Sequence, residues 1–214
     1  ACGDADGAVT GNTRRFGASL DKIKQVVKAR KGEIMFGLNL VVYKGKTIFV
    51  GDTSVHEYPT SEQMAEMAIS ASRVVRLFGF DPKVAFVSHS TFGQPLTSRT
   101  KHIKNAVEIL KSKNVNFEFD GDMQPDVALN KEYKNLYPFS KIVGNANILI
   151  MPGQHSAAIS YKMMKELGDT KVIGPLLIGL GLPIEIAPLR SSTSEILNLA
   201  SIAAYSADVI DYKK

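Results

Sequence analysis

The chain has 214 residues, 44% hydrophobic and 22% charged, with a formal net charge of +5. That length suits one large α/β domain or two small lobes, and basic residues scattered among acids point to a solvated surface rather than a nucleic-acid groove. A single cysteine, Cys2, excludes an internal disulfide and a cysteine-based zinc site.

The first six residues are polar and acidic, unlike a secretory leader. The chain opens Ala-Cys-Gly-Asp rather than with Met, so a piece of a longer, cytoplasmic polypeptide is expected. Residues 32–50 read as a strand pair: β-branched and apolar residues run to a Lys44-Gly45-Lys46 turn, and TIFV returns. Thr60 and Gln63 have the spacing of a capping box. Met64, Met67, Ala68, Ala71, Val74, Val75 and Phe78 then share one helical face, and Gly79 stands where a C-terminal cap belongs.

Beyond this helix, strands and helices alternate. Residues 83–88 predict a buried strand, 100–113 an amphipathic helix, 115–119 a strand and 146–151 a wholly apolar strand. Residues 155–167 predict a helix, 172–178 a strand or buried core segment and 192–205 a closing helix. The apolar stretch 172–187 is broken by Gly174, Pro175, Gly179, Gly181 and Pro183, so no membrane helix is expected. Strands alternating with helices imply an α/β fold with mostly parallel sheets flanked by helices.

In such folds ligands bind beyond the carboxyl ends of strands. Four post-strand segments qualify: Ser88-His89-Ser90-Thr91-Phe92-Gly93, rich in hydroxyls; Asp120 to Asp126, with three acids; Pro152-Gly153-Gln154-His155; and the glycine-rich 173–181. The acidic segment lacks the EF-hand spacing and reads as a solvated turn. The glycine segment matches neither GxxxxGK[ST] nor GxGxxG. The four histidines, His56, His89, His102 and His155, are dispersed, and no HExxH or GxSxG motif occurs. No metal site is expected.

In order, these loops resemble the phosphate acetyl/butyryltransferase family over essentially the whole chain. The resemblance is carried by Asp4-Ala5-Asp6-Gly7 to Thr10-Gly11, Pro59-Thr60, the 88–93 and 120–129 segments, Gly144-Asn145-Ala146-Asn147 to Pro152, and Ile173-Gly174-Pro175 to Gly179-Leu180. Within the family, residues 53–60, Phe92-Gly93 and 185–189 are similar to the carboxy-terminal domain of bacterial NADP-dependent malic enzymes. The resemblance implies a two-lobed fold of the isocitrate/isopropylmalate dehydrogenase type. Residues 1–57 with 177–214 would form an outer lobe, and 58–176 an inserted lobe.

It also implies a ligand and a loss. Acyl-CoA would lie between the lobes against Ser88, Ser90, Thr91, Gly93, Asn145, Gly174 and Arg190. The Ser-Arg pair that assists acetyl transfer in the transferases falls here on Pro188 and Leu189, which carry neither a hydroxyl nor a charge. Asp21 falls where transferases carry a helical arginine. The implied function is a non-catalytic, acetyl-CoA-sensing and oligomerising domain of a malic enzyme that oxidatively decarboxylates malate to pyruvate. NADP and a divalent metal would belong to an amino-terminal malic domain, and the assembly would be a homodimer or higher oligomer. The alternative is an active phosphate acetyltransferase.

Overall fold

A computed structural model describes residues 4–210, so Cys2 lies outside the described residues. In chain order the elements are β1 (Ala8–Gly11), α1 (Phe16–Val26), β2 (Phe36–Tyr43), β3 (Lys46–Gly51), α2 (Ser61–Leu77), β4 (Lys83–Val87), α3 (Ser98–Ser112) and β5 (Glu118–Met123). There follow α4 (Pro125–Leu129), α5 (Lys131–Lys134), β6 (Ile148–Ile150), α6 (Gln154–Leu167), β7 (Thr170–Ile178), β8 (Ile184–Ala187) and α7 (Thr193–Val209).

Six strands form one sheet in the order β5-β4-β6-β3-β2-β7. All neighbours are parallel except β2, which runs antiparallel to both β3 and β7. The hairpin between β2 and β3 turns at Lys44 and Gly45, whose φ angles of 46° and 75° match the handedness a tight hairpin requires. Both faces of the sheet are covered, as the apolar strands demand. In β4, Val84 and Phe86 pack on α2 and α3 through Met64, Ala68, Ile103 and Leu110. Ala85 and Val87 face the other way, toward Val127, Ala128 and Ala157 of α4 and α6.

Helix α2 starts as its sequence specifies: Thr60 Oγ1 accepts from Gln63 N, and the Gln63 side chain accepts from Thr60 N. Its apolar stripe is buried at Met64, Met67, Ala68, Ala71 and Val75, while Val74 is half-buried. At its far end Gly79 takes φ +82°. A second capping box, Ser192 with Glu195, starts α7.

The parallel pair β1 and β8 forms a separate two-stranded sheet, with Ala8 opposite Ile184 and Gly11 opposite Ala187. Helices α1 and α7 pack on it, with Leu20, Ile23 and Val27 of the α1 region meeting Leu177, Leu180 and Ile186. The expected lobe boundary at 57/58 is not a sheet boundary. Strands β2 and β3, from the expected outer lobe, share the six-stranded sheet with β4, β5 and β6. The reason is local: Phe49 and Val50 bury side chains on opposite faces, and β3 sits between β6 and β2.

Two further expectations are corrected. The strand placed at 115–119 begins at Glu118, where the ladder with Lys83 starts, and runs on to Met123. The acidic segment is therefore no solvated turn: Asp120 and Asp122 are strand residues, and both are buried. Among the described residues no helix is long and apolar enough to cross a membrane, and no group of three or more His, Cys, Asp or Glu could hold a metal ion.

Candidate functional site

At the carboxyl end of β3 the chain turns on one carboxylate. Asp52 is fully buried. Its Oδ1 accepts from the amides of Gly37 (2.9 Å), Ser54 (2.8 Å) and Val55 (3.1 Å), and its Oδ2 from the amide and Nδ1–H of His56 (2.7 and 2.8 Å). Five donors on one carboxylate replace the hydration it loses on burial. Because Nδ1 must donate to a carboxylate, the imidazole is oriented with Nε2 as its outward nitrogen.

A similar latch joins the loops after β4 and β5. Asp122, 1% exposed, accepts from Ser90 Oγ through Oδ2 and from the Gly93 amide at 2.9 Å through Oδ1. Its carbonyl accepts from Phe92 N at 2.6 Å. Ser88 and Ser90 share a hydrogen bond at 3.2 Å, and Thr91 Oγ1 accepts from Gln124 N at 3.3 Å. Ser88, Ser90 and Thr91 are all buried, so the hydroxyls read from sequence as ligand groups are largely committed within the protein.

The seven residues expected to line one ligand site do not converge. Ser88, Ser90, Thr91 and Gly93 lie together past the carboxyl end of β4. Asn145 precedes β6, whose Ile148 pairs with Val84 near the start of β4, so it sits at the opposite end of the sheet. The five residues of β4 separate the two ends by about 16 Å at ~3.3 Å per residue. Gly174 lies in β7, four positions from β4 in the strand order, or about 19 Å at ~4.8 Å per strand. There its φ of +122° is set by a bulge against β2, and a side-chain carbon would stand 2.8 Å from Asn39 Oδ1 and 3.0 Å from Leu38 O. Arg190 is exposed, at the end of β8.

What does converge at the sheet's carboxyl edge is an open crevice of about 530 Å³. It lies between the loop after β3, the start of α3 and the start of α6. Glu57, Pro59, Arg99, His102, Gly153 and His155 line it. No side chain caps the first turn of α6, whose N-cap is Gly153; there the Gln154 amide donates to His56 O at 3.2 Å. His102 is held from both sides, with Nε2 donating to Pro59 O at 2.8 Å and Nδ1 3.1 Å from Ser61 Oγ. His155 Nε2 lies 3.2 Å from Glu57 Oε1. Arg99 and the exposed His155 ring suit an anionic group such as a phosphate. Sequence reasoning missed Arg99 and His102, because only tertiary packing brings α3 beside residues 57–59. The proline-glycine start of α6 was the one visible signal.

A second convergence lies at the ends of β1 and β8. Asn12 N donates to Ala187 O at 2.9 Å, and Arg190 N donates to Asn12 O at 3.2 Å. This brings Arg14, Arg15 and Arg190, all exposed, into the loops beside Pro188 and Leu189. Gly174, Pro188, Ser191 and Glu195 share a small adjoining cavity. The Ser192 amide and hydroxyl and the Lys165 ammonium bond Glu195; foremost the Ser192 amide holds its carboxyl below the usual range.

Comparison with known proteins gives a consistent family. The phosphate acetyl/butaryl transferase model matches residues 1–204. An NADP-dependent malic enzyme from Rhizobium meliloti is 44% identical over 207 residues, covering 97% of this chain and 27% of that protein. A phosphate acetyltransferase from Bacillus subtilis is 30% identical over 207 residues, covering 96% of this chain and 64% of that enzyme. The crystal structure of a phosphotransacetylase from Streptococcus pyogenes superposes with a TM-score of 0.90 at 30% identity, over 95% of this chain and 63% of that one. The chain thus spans about a quarter of the malic enzymes' length and less than two thirds of the transferases'.

Proposed function

The chain belongs to the phosphate acetyl/butaryl transferase family, and we propose that it serves a malic enzyme as a non-catalytic domain that binds acetyl-CoA and transmits its presence. The observation that carries this reading is the pair at the end of β8. Pro188 and Leu189 stand where the family resemblance places the transferases' Ser-Arg pair. Leu189 is 54% exposed beside the β1 loop, so the position is accessible yet offers no group to move a proton or steady an oxyanion. The neighbouring arginines can attract a phosphorylated ligand without completing transfer.

The coenzyme's phosphates are assigned to the crevice at the starts of α3 and α6, with Arg99 as the charged partner and His155 as a hydrogen-bonding one. The parent reaction, malate oxidation and decarboxylation with NADP and a divalent metal, belongs in this proposal to a separate malic domain of the same polypeptide. Oligomerisation has a surface to use: Ile159, Met163 and Leu167 are 58%, 54% and 82% exposed along one face of α6. Spacings of four residues make them a continuous apolar stripe.

The test uses the full-length polypeptide. Acetyl phosphate and CoA are supplied and acetyl-CoA formation is followed, then malate oxidation is measured with and without acetyl-CoA. The expected result is no acetyl transfer and a change in malate oxidation. Sustained acetyl transfer would establish the active transferase instead. Acetyl-CoA that binds but leaves malate oxidation unchanged would remove the sensing role, since a ligand shifts an equilibrium only by binding its two states unequally.

A further inference from the structure

Between α2, α7 and the turn joining β7 to β8 lies a cavity of about 340 Å³, away from both sites described above. Its walls are mostly apolar, with Val74, Phe78, Leu180 and Ile202 among them, and Arg30, Glu33 and Arg73 also line it. Two buried polar side chains interrupt these walls. Ser70 is 3% exposed, and its hydroxyl has no hydrogen-bond partner. Glu185 is 4% exposed, and its Oε2 accepts from the Leu177 amide at 2.9 Å. A hydroxyl buried without a partner costs free energy that a suitable ligand recovers.

We propose that this cavity binds a small, mostly apolar carbonyl compound whose oxygen takes the hydrogen bonds that Ser70 and Glu185 offer. The volume falls within the range of about 300–1,000 Å³ typical of small-molecule sites, which combine apolar walls with a few converging polar groups. The chemistry of those groups selects the ligand. Burial pushes the Glu185 carboxyl up to about 8, so near neutral pH it mostly carries its proton and can donate. Two hydroxyl-bearing groups favour an acceptor oxygen over a ligand amine. Of the charged lining residues, Arg73 and Arg30 both donate to Glu33 Oε1, at 2.7 and 3.3 Å, so these charges are paired within the protein. The site lies at the opposite end of β8 from Pro188, so it is separate from the proposed coenzyme crevice.

Titration calorimetry at pH 7 on the full-length protein tests this with acetophenone, ethylbenzene and 1-phenylethylamine, three probes of matched shape. Acetophenone is expected to bind saturably and at least fivefold more tightly than either of the others. Ser70→Ala should weaken acetophenone binding severalfold, with the Glu185 bond retained, while leaving ethylbenzene unchanged, and thermal melting should show that the variant is folded. Ile202→Phe, which fills the cavity, should abolish binding of both; if that variant does not fold, the wild-type and Ser70→Ala titrations decide. No saturable acetophenone binding would mean a cavity occupied by water or by the protein's own chain, and would overturn the proposal. Tighter binding of the amine or of ethylbenzene, or a Ser70→Ala variant that binds acetophenone as the wild type does, would overturn it as well.

Discussion

Replacing Asp52 by alanine removes the acceptor for five hydrogen bonds at once. Of its donors, the Gly37 amide is buried, while the amides of Ser54, Val55 and His56 and the His56 ring lie in a partly buried loop that water can reach. The buried amide left unpaired costs about 1–3 kcal/mol, and losing the charge-assisted bonds in the loop adds about 1–2 kcal/mol after water replaces them. Asp52→Ala is therefore expected to lose about 2–5 kcal/mol. Asp52→Asn keeps one acceptor oxygen but turns an NH₂ toward two His56 donors, so it should fall about midway. Urea unfolding followed by circular dichroism reads the difference. At a slope of about 2 kcal/mol per molar, the alanine variant's midpoint should drop by about 1–2.5 M with the slope unchanged. A loss below about 1 kcal/mol for Asp52→Ala would show that the amides find water or rearrange, and would refute the reasoning that this carboxylate organises the loop.

Three further perturbations follow from the same structure. Glu185 is pushed from its ordinary 4.5 up to about 8 by burial. Between those values the unfolded chain has released the proton that the folded protein keeps, so stability falls as pH rises from about 4.5 to about 8. Glu185→Gln should flatten that decline in unfolding measurements; Arg30, Glu33, Arg73 and Tyr205 around the same cavity are kept unchanged so that the difference belongs to Glu185. Gly174→Ala forces a side-chain carbon against Asn39 and Leu38 at a positive φ, and should cost about 2–4 kcal/mol, read as a lowered melting temperature. Met163→Glu places a charge in the exposed α6 stripe and should weaken self-association about tenfold or more in sedimentation equilibrium, with secondary structure intact. An unchanged association constant would remove α6 as the interface.

The fold's main elements were legible because their signals are local. The β2–β3 hairpin carries its own turn, and α2 carries its own cap and stripe. Strands β1 and β8 were not legible: AVTG and IEIA are four residues each, and they pair across most of the chain's length, which no short window detects. The acidic segment 120–126 failed for a related reason. A run of acids reads as solvated until a partner is seen, and the partners of Asp120 and Asp122 come from Lys141, Ser90 and Gly93. The same contacts explain the site residues. Sequence order put hydroxyls after a strand, where ligands bind, but only the structure shows that Ser90 is taken by Asp122, Ser88 by Ser90, and that Thr91 accepts from Gln124. Asn145 and Gly174 resemble family positions in sequence, yet they stand at another end and another edge of the sheet.

The hydrogen bond from the Leu177 amide to Glu185 crosses from the six-stranded sheet to the two-stranded one. It therefore ties the relative placement of the sheets to a proton. Any rearrangement that draws β8 away from β7 lets water reach the carboxyl, returns its acidity toward the ordinary range and releases that proton to solvent; closing takes one up. Movement between the sheets, whatever drives it, would carry its own acid–base signature, countable in buffers of different ionisation heat.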